Sequence, residues 1–384
     1  MQPTHASDGQ SVAIEAWRGV AAWLVVYAHF WAFSGTDWPP LRLAHTGVNL
    51  FFVVSGFVFA PYLFGQTLHL RAHLVRRFFR IYPAYVLALG LYVAMKAQAG
   101  QPLLYIAEHL AFAHVQTKEM AFYYNPPFWS LPAEVEFYLA LPLLAGLAGL
   151  GRAAAGRWGA ALLALLAAAA VLRGALGSAS DGQAQNAAFV ALFHLPGVLV
   201  EFLLGAAAWR VSRRSLSAIA RAGMGAAGLA GWAALALWFA RVGDAGVEAS
   251  VLRGQVGALA ALCFALLVAA TVGAPVGKAG PADGRTDGRT SGARAGTTTG
   301  APAATAGGLR ALAVWAGRLS YGVYLFHGAA LQAAVALAAA WGWSAGGARG
   351  LALALTLAMA TAVYLAWENP WRRLGRRWAA RLQG

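Results

Sequence analysis

The chain has 384 residues, 60% of them hydrophobic and only 11% charged, with a mean hydropathy of +0.58. Soluble domains sit near roughly 45–50% apolar and about 25% charged, and a larger soluble core cannot absorb the excess, because cores stop growing and leave a polar shell; lipid is the second solvent. A net charge of +15 points to nucleic acid only if the basic residues form one patch, and to a membrane protein if they gather on one side of a bilayer.

Residues Met1–Ser11 are polar, and Glu15 and Arg18 interrupt the first apolar run, which ends without a small-residue cleavage site. This predicts an anchored first helix, not a removed signal peptide. A membrane helix needs about 20 mostly apolar residues. Uncharged windows run Gly19–Thr36, Leu43–Leu70, Ile81–Met95, Phe137–Gly151, Trp158–Leu172, Ala222–Ala240, Gly254–Gly277, Leu319–Ala348 and Gly350–Trp367. A tenth, Ala188–Trp209, contains Glu201 but is flanked by Asp181 on one side and Arg210, Arg213 and Arg214 on the other.

With the N-terminus in the cytoplasm, seven of the 29 Lys and Arg fall on outer ends (Arg42, Lys96, Lys118, Arg173, Arg241, Arg253, Arg349), Arg18 lies inside the first helix, and the other 21 fall on cytoplasmic ends. That bias sets the orientation and removes the main support for nucleic-acid binding. The expected fold is an all-α integral membrane protein, about ten transmembrane helices in one bundle with both termini cytoplasmic. It forms a single domain over 1–384, with a disordered cytoplasmic linker at 278–308 and a basic cytoplasmic tail at 371–384. The linker, GRTDGRTSGARAGTTTGAPAATAGG and its flanks, cannot bury enough apolar surface to order itself. The segment Arg71–Pro83 (RAHLVRRFFRIYP) reads as an interfacial amphipathic turn, and Gln101–Trp129 as an outer loop able to roof a cavity. No internal repeat is visible, which counts against folds built from duplicated halves. The single cysteine, Cys263, allows no disulfide framework and no zinc cluster.

Ionisable side chains inside lipid are functional candidates by default. Arg18 and His29 are 11 residues apart on one helix, so they share a face to within about 20° while rising about 16 Å. One cavity can then hold an anion low, on arginine, and a proton acceptor high, on histidine. A snorkelling arginine and a structural histidine explain the same spacing equally well. In GVNLFFVVSGF (Gly47–Phe57) small residues favour close helix packing; Asn49 can hydrogen-bond a substrate, and Ser55 has no visible base to make it a nucleophile. In FWSLPAEVEFY (Phe128–Tyr138), Ser130 suits a cap, and Glu134 and Glu136 lie about 200° apart on a helix, so only one can face a shared cavity. Solvated carboxylates at a helix N-terminus are the plain alternative. In SYGVYLFH (Ser320–His327), His327 follows Ser320 by two turns, and a buried structural histidine is the simpler reading. Glu368 sits at the depth of Arg18 and Arg80, where a structural salt bridge is expected.

These motifs, in this order, resemble the acyltransferase 3 family of multispan membrane acyltransferases: RGVAAWLVVYAH (Arg18–His29), GVNLFFVVSGF, RRFFRIYP with Arg77 and Arg80, the WSL…E…FY run from Trp129 to Tyr138, and SYGVYLFH followed by Glu368-Asn369-Pro370. The resemblance implies a membrane O-acyltransferase that moves an acyl group, usually acetyl, from cytoplasmic acyl-coenzyme A to a hydroxyl of a carbohydrate or other small acceptor, in the bacterial inner (cytoplasmic) membrane and as the short form without an added domain. It implies His29 as general base with Glu134 orienting the imidazole or the acceptor, Arg18, Arg77 and Arg80 on the donor, and acceptor contacts among Asn49, Ser55, Trp129, Tyr138 and His327. No metal is called for, and oligomeric state is open. Two departures are Asn49, where many members carry Asp, and His194 with Pro196 ahead of EFLLG, where an arginine is common. The alternative from another class is a transporter or flippase for a polar lipid or sugar, its charges lining a pathway without covalent chemistry.

Overall fold

The computed structural model describes residues 8–31, 39–150, 182–248, 254–273 and 303–383, with isolated positions between 167 and 175. Every regular element among the described residues is helical. In chain order these are α1 (Asp8–Trp31), a 3-10 helix (Pro39–Thr46), α2 (Gly47–Leu63), α3 (Leu70–Gln98), α4 (Ile106–Leu110), α5 (Lys118–Ala121), a second 3-10 helix (Pro126–Trp129) and α6 (Ser130–Leu150). They are followed by α7 (Gly182–Phe193), α8 (Leu195–Ser212), α9 (Ala218–Glu248), α10 (Val256–Thr271), α11 (Ala303–Ala340), α12 (Ala345–Val363), a π-turn (Tyr364–Glu368) and α13 (Asn369–Arg381).

Among the described residues, seven helical stretches are long and apolar enough to cross a membrane: Arg42–Leu63, Leu70–Gln98, Pro126–Ala148, Asn186–Ser212, Ala218–Gly243, Gly307–Ala340 and Ala345–Arg381. Each contains one of the windows expected from sequence, or most of it. Three of the ten expected spans are not among them. Helix α1 has 24 residues, about 36 Å at 1.5 Å per residue, but carries Asp8, Glu15 and Arg18. Helix α10 is apolar but has only 16 residues. The window Trp158–Leu172 lies outside the described residues, apart from isolated positions.

Three segments differ from their sequence reading. Arg71–Pro83 is not a separate turn: it is the first half of α3, which runs unbroken through Pro83. The linker lies outside the described residues from 278 to 302, while 303–308 already form the start of α11. The basic tail is an ordered helix, α13, whose Gly375 meets the ring of Phe79 on α3 so closely that a Cβ there would lie 2.5 Å from the Phe79 Cβ. Trp371 stacks on the same phenylalanine and Trp378 packs edge-on against it, which gives a highly basic helix an aromatic anchor.

Close packing explains the small residues of the second motif. Helices α2 and α8 cross where Gly56 faces the backbone of Phe202 and Gly205 faces that of Val53; a Cβ on either glycine would overlap a carbonyl of the other helix. Around this crossing lies the main core, where Phe137 stacks on Phe202 with centroids 3.9 Å apart and Phe52 and Phe59 close the sides. Helix α1 packs between α2 and α11, and α12 lies against α11. The segment between α3 and α6, expected as an outer loop, is folded into the bundle: His109, His114, Val115 and Phe128 are fully buried. The Tyr85 hydroxyl from the middle of α3 donates to the carbonyl of His109 at 2.9 Å, and the Asn125 amide donates to the carbonyl of Leu325 at 3.3 Å. Two non-glycine residues in this segment, Tyr105 (φ 61°) and Phe112 (φ 55°), take left-handed backbone geometry, a local cost offset by the burial around them.

Candidate active site

A cavity of about 50 Å³ opens where α1, α2, α3, α6 and α11 converge. Its polar lining is Arg18, Ser55, Arg80, Ser130, Glu134, Ser320 and the phenols of Tyr321 and Tyr324, with Phe51 and Phe52 among the apolar walls. Four residues singled out by sequence, Arg18, Ser55, Arg80 and Glu134, therefore meet here from four different helices. Ser130, Ser320, Tyr321 and Tyr324 were missed, although all lie in the quoted motifs; the i, i+1, i+4 spacing of Ser320, Tyr321 and Tyr324 was the available signal.

Within the cavity Glu134 accepts a hydrogen bond from the Ser55 hydroxyl at 3.3 Å and a second, short one from Tyr138 one turn on. Glu136, on the other face of α6, pairs instead with His194 and accepts from the backbone N–H of Leu195 at 2.7 Å. The two glutamates part as their 200° separation requires, and His194 finds its partner in Glu136. Ser130 turns its hydroxyl toward Tyr324, 2.6 Å away, rather than capping α6, and Tyr324 itself donates to the carbonyl of Pro127 at 2.5 Å. Tyr321 donates to the carbonyl of Ile81 at 2.9 Å, tying α11 to α3.

The arginines divide. Arg18 makes an ion pair with Glu15 at 3.5 Å. Arg80 lines the cavity within electrostatic reach of Glu368, which is buried and accepts from Arg372 at 3.2 Å, as the expected salt bridge at that depth requires. Arg77, three residues from Arg80, lies instead beside a neighbouring apolar pocket of about 350 Å³, its guanidinium over the rings of Phe59 (5.0 Å) and Tyr138 (5.5 Å). Tyr138 thus touches both Glu134 and Arg77 and forms the partition between the two spaces, together with Ile81.

His29 is one step away from this cavity. Its Nδ1 lies 2.8 Å from the carbonyl oxygen of Val25; a carbonyl only accepts, so Nδ1 carries the hydrogen and Nε2 is left as a lone-pair acceptor. His327 is held in the same way, Nδ1 against the carbonyls of Val323 and Tyr324 at 3.1 and 3.0 Å, and its Nε2 is buried without a hydrogen-bond partner. The two rings lie against each other at a tilt of 57°, with centroids 5.0 Å apart. On α11, Ser320, Tyr324 and His327 follow one another at i, i+4 and i+7, so the imidazole pair sits one turn, about 4.5 Å along the axis, beyond the cavity lining. The group that orients His29 is its own backbone turn; the hydrogen bonds of Glu134 go to Ser55 and Tyr138.

Two expected acceptor contacts lie elsewhere. Asn49 faces Gly257 of α10 next to Glu201 of α8, on the far side of α2: a Cβ on Gly257 would come 2.7 Å from the Asn49 amide and 3.3 Å from the Glu201 carboxylate. Trp129 packs between Phe193 (4.5 Å) and Phe52 (6.1 Å), part of the aromatic wall. Among the described residues no three His, Cys, Asp or Glu side chains come together as a metal site would need.

The fold and site define a multi-helix membrane protein with a buried arginine-carboxylate cavity and an imidazole pair above it. The family model for the acyltransferase domain of acyltransferase 3 proteins matches residues 11–367, nearly the whole chain, and the protein belongs to that family. It is also similar to "Protein 2 in picA locus" of Rhizobium radiobacter, 41% identical over 87 residues, which is 22% of this chain and 44% of that protein; the chain thus spans less than half the length of this relative. No solved structure matches.

Proposed function

We propose that the protein is a membrane-embedded O-acyltransferase of the bacterial inner membrane, moving an acyl group, acetyl in the simplest case, from cytoplasmic acyl-coenzyme A to a hydroxyl of a carbohydrate or other small acceptor. In this reading the Nε2 of His29 removes the acceptor hydroxyl proton as that oxygen attacks the thioester carbonyl; the carbon–sulfur bond breaks and the thiolate leaves as coenzyme A once protonated. His327, with its own bare Nε2 beside that of His29, accepts a hydrogen bond from a second hydroxyl of the acceptor or from water. Arg18 and Arg80 hold the anionic donor from below. Glu134, Ser55 and Tyr138 form a polar wall that positions the reacting ends rather than the imidazole, and Arg77 fixes Tyr138 from behind.

The observation that carries this reading is the pair of imidazoles, each bound through Nδ1 to its own helix and each presenting an unprotonated Nε2, one turn beyond an arginine-lined cavity. An unpartnered ring nitrogen is also buried at His73, His109 and His114, so it is the placement of this pair next to the cavity, and not the bare nitrogen by itself, that supports the reading. The test is incubation of membranes containing the protein with acetyl-coenzyme A and candidate glycans. Release of free coenzyme A that depends on acceptor, with an acetyl mass added to the glycan, supports the enzyme; acceptor crossing the bilayer without coenzyme A release would replace it with a transporter.

A further inference from the structure

At the end of the bundle where Arg18 and Glu368 lie, a second space of about 370 Å³ opens between α1, α11, the π-turn and α13. Its lining includes Arg318, Arg372, Arg373, Arg376, Asn369 and Glu15. Two of these charges are already used: Arg372 is bonded to Glu368, and Glu15 pairs with Arg18. Arg318, Arg373 and Arg376 make no ion pair among the described residues. Three guanidinium groups are thus brought to one groove with a single carboxylate, itself engaged with another arginine. All three are exposed, so solvent screens their mutual repulsion; what the grouping offers is several planar forks from which an anion with several acceptor oxygens can take bidentate hydrogen bonds. The convergence is built, not incidental to a basic tail: Arg318 comes from α11, the other two from α13, and α13 is fixed by the Gly375 contact and the Trp371 and Trp378 rings on Phe79. The groove also adjoins the cavity, because Glu15 lines the groove while its partner Arg18 lines the cavity.

We propose that this groove is an anion site for a phosphate group, with Arg318, Arg373 and Arg376 as its ligating cations and the side-chain amide of Asn369 as a neutral donor. Resting on the acyl-transfer reading, the phosphate is one carried by the donor, whose thioester end then points past the Glu15–Arg18 pair into the cavity. The same chemistry would suit the phosphate of an anionic lipid at that membrane face, and the experiment separates the two sources.

The full-length protein is reconstituted in nanodiscs of zwitterionic lipid, and equilibrium binding of coenzyme A, dephospho-coenzyme A and pantetheine is measured without turnover. The variants are Arg373→Gln/Arg376→Gln and, as the charge-retaining control, Arg373→Lys/Arg376→Lys; Arg372 is left intact because it holds Glu368. Hydrogen bonds from exposed arginines to a phosphate are partly screened by solvent, so the Gln pair should weaken coenzyme A binding by about 10- to 100-fold while leaving pantetheine binding unchanged, and the Lys pair should restore part of the loss. That result supports the proposal with the donor as source. If coenzyme A binding is unmoved but stabilisation by added phosphatidylglycerol is lost in the Gln pair, the anion site stands and its phosphate is a lipid's. If neither changes in a variant with wild-type thermal unfolding, the proposal is overturned. Because binding is read without catalysis, absence of acetyl transfer in the wild-type protein would sink the acyl-transfer reading and leave this test intact.

Discussion

Two regions of this molecule that bury polar groups partner them in different ways. In the segment between α3 and α6 they are consumed by irregular backbone: His109 Nδ1 meets the carbonyl of Tyr105, His114 Nε2 that of Phe128, Tyr85 that of His109 and Tyr124 that of Leu104. The two imidazoles stack, 4.1 Å apart and nearly parallel, as neutral rings do. In the cavity, side chains meet side chains around open volume: Ser55 and Tyr138 on Glu134, Ser130 on Tyr324. The first arrangement pairs one nitrogen of each imidazole with a backbone that leaves helical geometry inside the bundle, and leaves His109 Nε2 and His114 Nδ1 buried without partners; the second sets acceptors and cations around a space that can take a guest. Burial of a histidine or glutamate is therefore a weak sign of function until its partners are known.

Removing a carboxylate from each face of α6 separates the cavity from the scaffold. Glu134→Gln should lower acyl transfer by about 10- to 100-fold, the equivalent of one charge-assisted hydrogen-bond set, with thermal unfolding little changed. Glu136→Gln should do the reverse: its pairing with His194 and Leu195 joins α6 to the start of α8, so the variant should unfold earlier, by about 1 kcal/mol for a partly exposed pair, and keep its transfer rate once folded. Equal losses of activity from both would dissolve the distinction between cavity and scaffold.

A smaller effect is expected from pH on the segment between α3 and α6. Burial holds the His114 imidazole down to about 3 and pushes His109 below its ordinary value, against a partial opposing pull from Glu108 on His109, while His109 and His194 depress His114 further. These are bases with lowered native pKa values. Below about 6.5 the opened segment takes up protons that the packed segment refuses, so its stability is complete above that pH and declines as pH falls, by up to about 1.4 kcal/mol per pH unit for each histidine. Protection against hydrogen exchange across 101–129, taken relative to the intrinsic rate at each pH, should fall between pH 7 and pH 5, and His114→Phe should remove part of that fall; pH-independent protection would contradict the neutral pairing.

Much of the scaffold could be read from the chain alone because lipid enforces it: seven apolar stretches are helices where hydropathy places them. The opposed faces of Glu134 and Glu136 follow from helical period, and the meeting of Arg18 with Arg80 from their shared depth. What could not be read depends on partners distant in sequence. Asn49 looks like a cavity residue in its motif, but the crossing of α2 with α8 at Gly56 turns it toward Gly257 and Glu201. Arg77 and Arg80 look equivalent, yet the rings of Phe59 and Tyr138 take one and leave the other to the cavity. The groove on α13 escaped notice because a run of arginines after the final span reads as a solvated tail, and only the contact of Gly375 with Phe79 reveals that it is docked.

The most direct test of the acyl-transfer account is acceptor-dependent release of coenzyme A by His29→Ala, with insertion and thermal unfolding verified against wild type. Loss of a positioned general base should slow transfer by about 10²- to 10⁴-fold while donor binding, read by equilibrium titration with coenzyme A, stays within about twofold. Wild-type turnover in that variant would mean the proton leaves by another route, and the imidazole pair above the cavity would be scaffold.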